Sequence, residues 1–160
     1  MLRYEEFDVV KAVKICCNAH DGQMYGNDPY FYHPMMVAYL VGHLGYDIRY
    51  IITAYLHDVV EDTSYKLEDI NHHFGPEIFD AVNALTKRDK EEYQEYLNRV
   101  VKNEIAGVVK YCDLYHNHKI SGRDTKKYRE AFEFLSNNVK LIKKPMDYTL
   151  DKKDWAIYES

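Results

Sequence analysis

Four ionisable side chains, His57, Asp58, Glu61 and Asp62, crowd six consecutive positions in the run Leu56-His57-Asp58-Val59-Val60-Glu61-Asp62-Thr63. On a continuous helix His57 lies one turn below Glu61, and Asp58 one turn below Asp62. Leu56, Val59 and Val60 then turn toward a core. Three carboxylates gathered at a helix end repel one another, so a purely structural helix gains little from them. A divalent cation removes that objection, because imidazole nitrogen and carboxylate oxygen are ordinary ligands. A solvated acidic helix end with a neutral histidine is the other reading of the same run.

Two further places carry matching chemistry. His33-Pro34 opens a helical stretch, and Asp113 and Asn117 share a helical face after the apolar pair Val108-Val109. An aspartate close to a core needs a partner or a metal. His33, His57, Asp58 and Asp113 together offer two nitrogen and two oxygen ligands. An octahedral ion held by them keeps positions open for water and a phosphate oxygen.

The elements that must position these residues read as helices. The apolar spacing predicts a first helix over Glu5 to His20, with Phe7, Val10, Val13, Ile15 and Cys17 among its apolar positions. Asp21 to Tyr32 carries Gly22, Gly26, Asn27, Asp28 and Pro29 and reads as a loop. A second helix has Pro34 in its first turn and runs to Gly45; a third covers Asp47 to Val60. Thr63 or Ser64 caps a short helix, Leu67 to Phe74, stopped by Gly75-Pro76. Later helices are expected over Pro76 to Thr86, Lys90 to Ile105, Ala106 to His118 and Thr125 to Ile142. No hairpin turn is expected. Residues 1–160 read as one all-α domain, a helical bundle with its motifs in about 5–142; the tail 145–160, with Trp155 and Tyr158, either packs back or stays loose.

With 46% hydrophobic and 29% charged residues in a chain of 160, the composition is that of a soluble globular domain. The net charge of −5 argues against extended nucleic acid as a partner, yet a local pocket can still take a small phosphorylated ligand. The amino-terminal stretch MLRYEEFDVVKAVK has no apolar signal core, and no segment reaches the roughly 18 apolar residues of a membrane span. A cytoplasmic location is expected, with Cys16, Cys17 and Cys112 as reduced core thiols.

The order His…His-Asp…Asp resembles the HD superfamily of metal-dependent phosphohydrolases. Phe31-Tyr32-His33-Pro34, the run from Leu56 to Thr63, His73-Phe74-Gly75, Leu85-Thr86 and Lys110…Asp113…Asn117 are similar to the hydrolase domain of RelA/SpoT-type enzymes. In size the chain is similar to the stand-alone small alarmone hydrolases, among them the metazoan SpoT homologue. The resemblance spans about His20 to Asn117. It implies an HD-type helical bundle, Mn²⁺ as the cofactor, and removal of the 3′-pyrophosphate from (p)ppGpp or a related alarmone. It implies His33, His57, Asp58 and Asp113 as metal ligands, Glu61 and Asp62 as acid/base and orienting groups beside the attacking water, and Asn117 facing the nucleotide. An HD phosphatase acting on NADPH or a nucleoside monophosphate, or an HD domain that binds a nucleotide without turnover, are the alternatives.

One departure bears on substrate. The family's loop before the first ligand carries Arg or Lys after the glutamine; here it reads Gln23-Met24-Tyr25-Gly26-Asn27-Asp28, and no Lys or Arg occurs between Lys14 and Arg49. Tyr25 either stacks on a base or covers helix ends. Lys126, Lys127 and Arg129 read as a solvated face, and His72-His73 as a helix end. His20 is expected as a support to the site or a helix cap, and His116 and His118 as its flanks. No Ser/His/Asp order, P-loop or zinc-finger spacing occurs.

Overall fold

In the computed structural model, which describes residues 4–122 and 125–140 without the Lys119 side chain, helices account for nearly all regular structure. They are α1 (Glu6–Ala19), α2 (Tyr32–His43), α3 (Ile48–Leu56), α4 (Val59–Asp62), α5 (Leu67–Phe74), α6 (Pro76–Leu85), α7 (Tyr93–Val100), α8 (Glu104–Tyr115) and α9 (Lys126–Asn138). A π-helical turn, His116–Ile120, prolongs α8. The all-α bundle expected from the sequence is the fold. Ile142 and the tail 145–160 lie outside the described residues. No described helix is long and apolar enough to cross a membrane.

The most completely buried helix sets the architecture. In α8 every residue from Ile105 to Tyr115 is buried except Lys110, which is partly buried. A helix covered all round has to be central, and α2, α3, α6, α7 and α9 pack around it. Val37, Leu40, Val41, Ala54, Val109 and Leu114 fill that core. A second apolar cluster, with Ala12, Cys16, Ile52, Leu56, Ile70, Phe74 and Ile78, ties α1 to α3, α5 and α6. Each large aliphatic side chain buried this way contributes about 1.5–3 kcal/mol.

Several expectations are corrected. On α1 the buried face carries Ala12 and Cys16, while Phe7 and Val10 are 71% and 61% exposed and Cys17 also faces solvent. Cys17 is therefore not a core thiol. The loop before α2 holds a minimal hairpin, β1 (Met24–Tyr25) paired antiparallel with β2 (Asp28–Pro29). Gly26 makes its turn at φ +65°, a conformation that glycine adopts without strain. The expected helix Lys90 to Ile105 shrinks to α7, because Lys90 takes φ +59° and Glu92 is extended. At its far end Asn103 caps α8 by accepting the Ala106 N–H at 2.9 Å. The N-cap of α5 is Lys66, whose N–H is accepted by Asp69 of the first turn at 3.4 Å; Thr63 instead donates to the Val59 carbonyl.

Arg99 closes the end of α6. Its guanidinium donates to the carbonyls of Asn83, Ala84 and Thr86 at 2.8–3.0 Å and pairs with both oxygens of Glu91 at 2.8 and 2.9 Å. These carbonyls are acceptors that a helix end leaves unsatisfied. A lysine cannot span them, so Arg99→Lys is expected to cost about 2 kcal/mol of stability, read by chemical denaturation. Arg99 also holds the Glu91 carboxyl down to about 2 from the ordinary 4.5. A depressed acid stabilises the fold above its unfolded value and loses that contribution as pH falls through the folded one. The melting-temperature gap between the native chain and Glu91→Gln should therefore be full at pH 5 and close between about pH 4.5 and 2.

Candidate metal centre

His33 sits in the first turn of α2, His57 and Asp58 at the junction of α3 and α4, and Asp113 on α8. The junction is made by a side chain. His57 Nδ1 donates to the Ala54 carbonyl at 2.7 Å, the oxygen that a continuing helix offers to the Asp58 N–H. Asp58 settles at φ −103°, ψ −7°, and α4 restarts at Val59. The single helix expected from Asp47 to Val60 is thus two. The offset of Asp62 from Asp58 survives, since the Asp62 N–H donates to the Asp58 carbonyl at 2.9 Å.

The four side chains converge. His57 Nε2 lies 3.0 Å from Asp58 Oδ2 and 4.0 Å from Asp113 Oδ1. His33 Nε2 lies 3.1 Å from Asp113 Oδ1 and 3.6 Å from Asp58 Oδ2. One ligand atom from each of His33, His57 and Asp58 falls within 4.8 Å of the others, a spread that one cation bridges. His33, His57 and Asp113 are buried, and Asp58 is partly open.

The donor set fits a divalent ion. With its Nδ1 proton committed to Ala54, neutral His57 carries its lone pair on Nε2. That buried atom has no hydrogen-bond partner, although Asp58 stands 3.0 Å away. A lone pair facing carboxylates is the arrangement a cation completes. The electrostatics agree. Burial works against charge on His57, yet the Asp58 and Asp113 carboxylates push its pKa up to about 9. Burial likewise opposes charge on both aspartates, but His57 and His33 hold Asp58 well below the usual carboxylate range, and Lys110 with the two histidines does so for Asp113. The pocket demands positive charge between its ligands.

Asp113 is fixed from both oxygens. Lys110 Nζ donates to Oδ2 at 2.7 Å, and Asn117 Nδ2 donates to Oδ1 at 2.6 Å. Asn117 Oδ1 in turn accepts the Tyr25 hydroxyl at 2.7 Å. The Tyr25 ring is buried and stacked on His33, with centroids 4.8 Å apart and planes 9° from parallel.

Glu61 and Asp62 face different neighbours. Glu61, exposed as a residue, tucks its carboxyl against the Lys87 backbone and accepts that N–H at 2.7 Å. Partial burial of the carboxyl raises its pKa, opposed by the Lys87 hydrogen bond. Asp62 Oδ2 shares the Tyr30 hydroxyl with Asp58 Oδ2, at 2.9 and 2.7 Å. The Tyr30 ring stacks on buried His20 at 4.4 Å. Gln23 joins His20 Nδ1 to the Asp62 carbonyl at 2.8 and 3.0 Å, so His20 both ends α1 and supports the site. His116 is fully buried, with Nδ1 2.8 Å from His33 Nδ1.

The remaining candidates stay outside. His72 and His73 are exposed at the end of α5. Lys126, Lys127 and Arg129 are exposed on α9, with Lys126 3.5 Å from Glu130 and Lys127 4.0 Å over the Tyr93 ring. Sequence reasoning gave no role to Lys110 or Tyr30. The three-residue step from Lys110 to Asp113 was a usable signal; Tyr30 carried none.

The sequence profile of the HD domain matches residues 12–110. The chain belongs to the HD-domain family. The match ends before Asp113 and Asn117, whose place in this HD-domain site rests on geometry. Among curated relatives, a probable GTP pyrophosphokinase of Mycobacterium leprae is 30% identical over 143 residues, covering 80% of this chain and 18% of the relative. A guanosine-3′,5′-bis(diphosphate) 3′-pyrophosphohydrolase of Haemophilus influenzae is 30% identical over 135 residues, 76% of this chain and 20% of the relative. The HD-domain chain thus spans about a fifth of their length. A solved metazoan ortholog of SpoT, described as hydrolysing ppGpp, superposes with a TM-score of 0.64 at 23% identity over 86% of both chains. The fold is the HD fold.

Proposed function

We propose that this HD-domain chain is a cytoplasmic, single-domain phosphohydrolase that removes the 3′-pyrophosphate from (p)ppGpp or a related alarmone, with Mn²⁺ held by His33, His57, Asp58 and Asp113. The observation that carries the proposal is the convergence of those four side chains around the His57 Nε2 lone pair. The names of the curated relatives supply the substrate class. A bound divalent ion lowers the pKa of a water and polarises a phosphoryl oxygen. Glu61 handles the proton, its raised pKa suiting it to give one as well as take one. Asp62, tied to Asp58 through Tyr30, orients the attacking water. Asn117 faces the nucleotide while bracing Asp113.

A second reading has its own support. The loop before His33 lacks any cation, and the Asn117 amide is already engaged by Tyr25 and Asp113. Both observations favour an HD phosphatase acting on another nucleotide, such as NADPH or a nucleoside monophosphate. Purified protein with Mn²⁺ should release pyrophosphate and GDP from ppGpp. Orthophosphate release from NADPH or a monophosphate, with ppGpp untouched, selects the second reading. Tight nucleotide binding with no turnover across the panel makes the chain a binding domain.

A further inference from the structure

The hydrogen bond between His33 and His116 joins two ring nitrogens of the same kind, Nδ1 to Nδ1 at 2.8 Å. One ring must donate and the other accept, so the tautomer of either ring dictates the tautomer of the other. Two ring contacts lock the pair. Tyr25 lies flat on His33, and the His33 and His116 centroids are 4.9 Å apart. His116 follows Asp113 by three residues and sits where α8 passes into the π-helical turn, in which the Ser121 N–H reaches back to the His116 carbonyl at 2.9 Å. Such wide turns are often found at functional sites.

The two histidines of the metal centre are braced differently. His57 gives its Nδ1 proton to a backbone carbonyl, an acceptor that has no alternative state. His33 faces an imidazole, which accepts only through a nitrogen without a proton. We propose that His116 is the positioning residue that makes His33 a metal ligand: it accepts the His33 Nδ1 proton, holds its own proton on Nε2, and so leaves the His33 Nε2 lone pair toward Asp58 and Asp113. The proposal rests on the reading of His33 as a metal ligand. Partners of ligating histidines are ordinarily carboxylates, carbonyls or water. A neutral imidazole adds no charge to a pocket that already holds Asp58 and Asp113.

Two measurements examine this. In the protein loaded with diamagnetic Zn²⁺, long-range ¹H–¹⁵N correlation of the histidine rings should find His33 protonated at Nδ1 and His116 at Nε2. The reverse assignment overturns the proposal. Calorimetric titration with Mn²⁺ should find His116→Leu, which removes the acceptor, weakened by roughly 10–100-fold, and His116→Asn, which restores an acceptor near the Nδ1 position, close to the native affinity. Equal losses in both variants, or none in a folded His116→Leu, overturn it as well. If His116→Leu fails to fold, the ring correlations on native protein still decide. Native protein that binds neither Mn²⁺ nor Zn²⁺ removes the metal reading itself. Native binding with the wrong tautomers removes only the role of His116.

Discussion

Asp58→Ala is expected to empty the metal centre. Its carboxylate is the ligand that stands nearest the His57 Nε2 lone pair, and it reaches toward His33 as well. Removing it leaves two imidazoles and one carboxylate, and that carboxylate is already committed to Lys110 and Asn117. Native protein should carry about one Mn²⁺ per chain by elemental analysis, and the variant almost none, with turnover falling to background. Thermal denaturation gives a second readout. An ion that binds only the folded chain stabilises it by about 2.7 kcal/mol at a hundredfold excess over its dissociation constant. Added Mn²⁺ should therefore raise the native melting temperature and leave that of Asp58→Ala unmoved. His57→Ala should behave alike, because it removes the one ring whose proton is pinned by the backbone. An Asp58→Ala protein with a full equivalent of Mn²⁺ would disprove the ligand set.

Much of this site was legible in the sequence because its residue types are costly anywhere else. Asp113 is the one carboxylate among the buried positions of α8, and a buried carboxylate there had to meet a cation. His57, Asp58, Glu61 and Asp62 were conspicuous because carboxylates so close together destabilise an ordinary helix. Helix limits at Gly75-Pro76 followed from glycine at φ +78° and proline in the next first turn. The junction at His57 was not legible. It depends on a side chain taking a backbone carbonyl, which periodicity does not register. Arg99 was equally hidden, since its partners lie 8 to 16 residues away in the chain. Tyr30 is one of sixteen tyrosines, and nothing in its neighbours marks it as the one whose hydroxyl touches both Asp58 and Asp62. The hairpin around Gly26 escaped because two-residue strands leave no alternating pattern.

Glu61→Gln should keep the metal and lose turnover by about 10²–10⁴-fold. Glu61 Oε2 accepts the Lys87 N–H at 2.7 Å, and its carboxyl is not among the clustered ligand atoms of His33, His57 and Asp58. A glutamine oxygen can accept the same hydrogen bond in nearly the same shape, so the fold of the loop and the metal cluster should both persist. What the amide cannot do is exchange a proton. The native carboxyl is suited to that task, because partial burial raises its pKa and the neighbouring Asp58 and Asp62 charges add to the effect. Metal content and turnover, measured on the same preparations, separate the possibilities. Loss of Mn²⁺ as complete as in Asp58→Ala would make Glu61 part of the cluster. Full metal with near-native turnover would move proton transfer to Asp62, and Asp62→Asn, whose amide can still accept the Tyr30 hydroxyl but cannot exchange a proton, should then carry the loss instead.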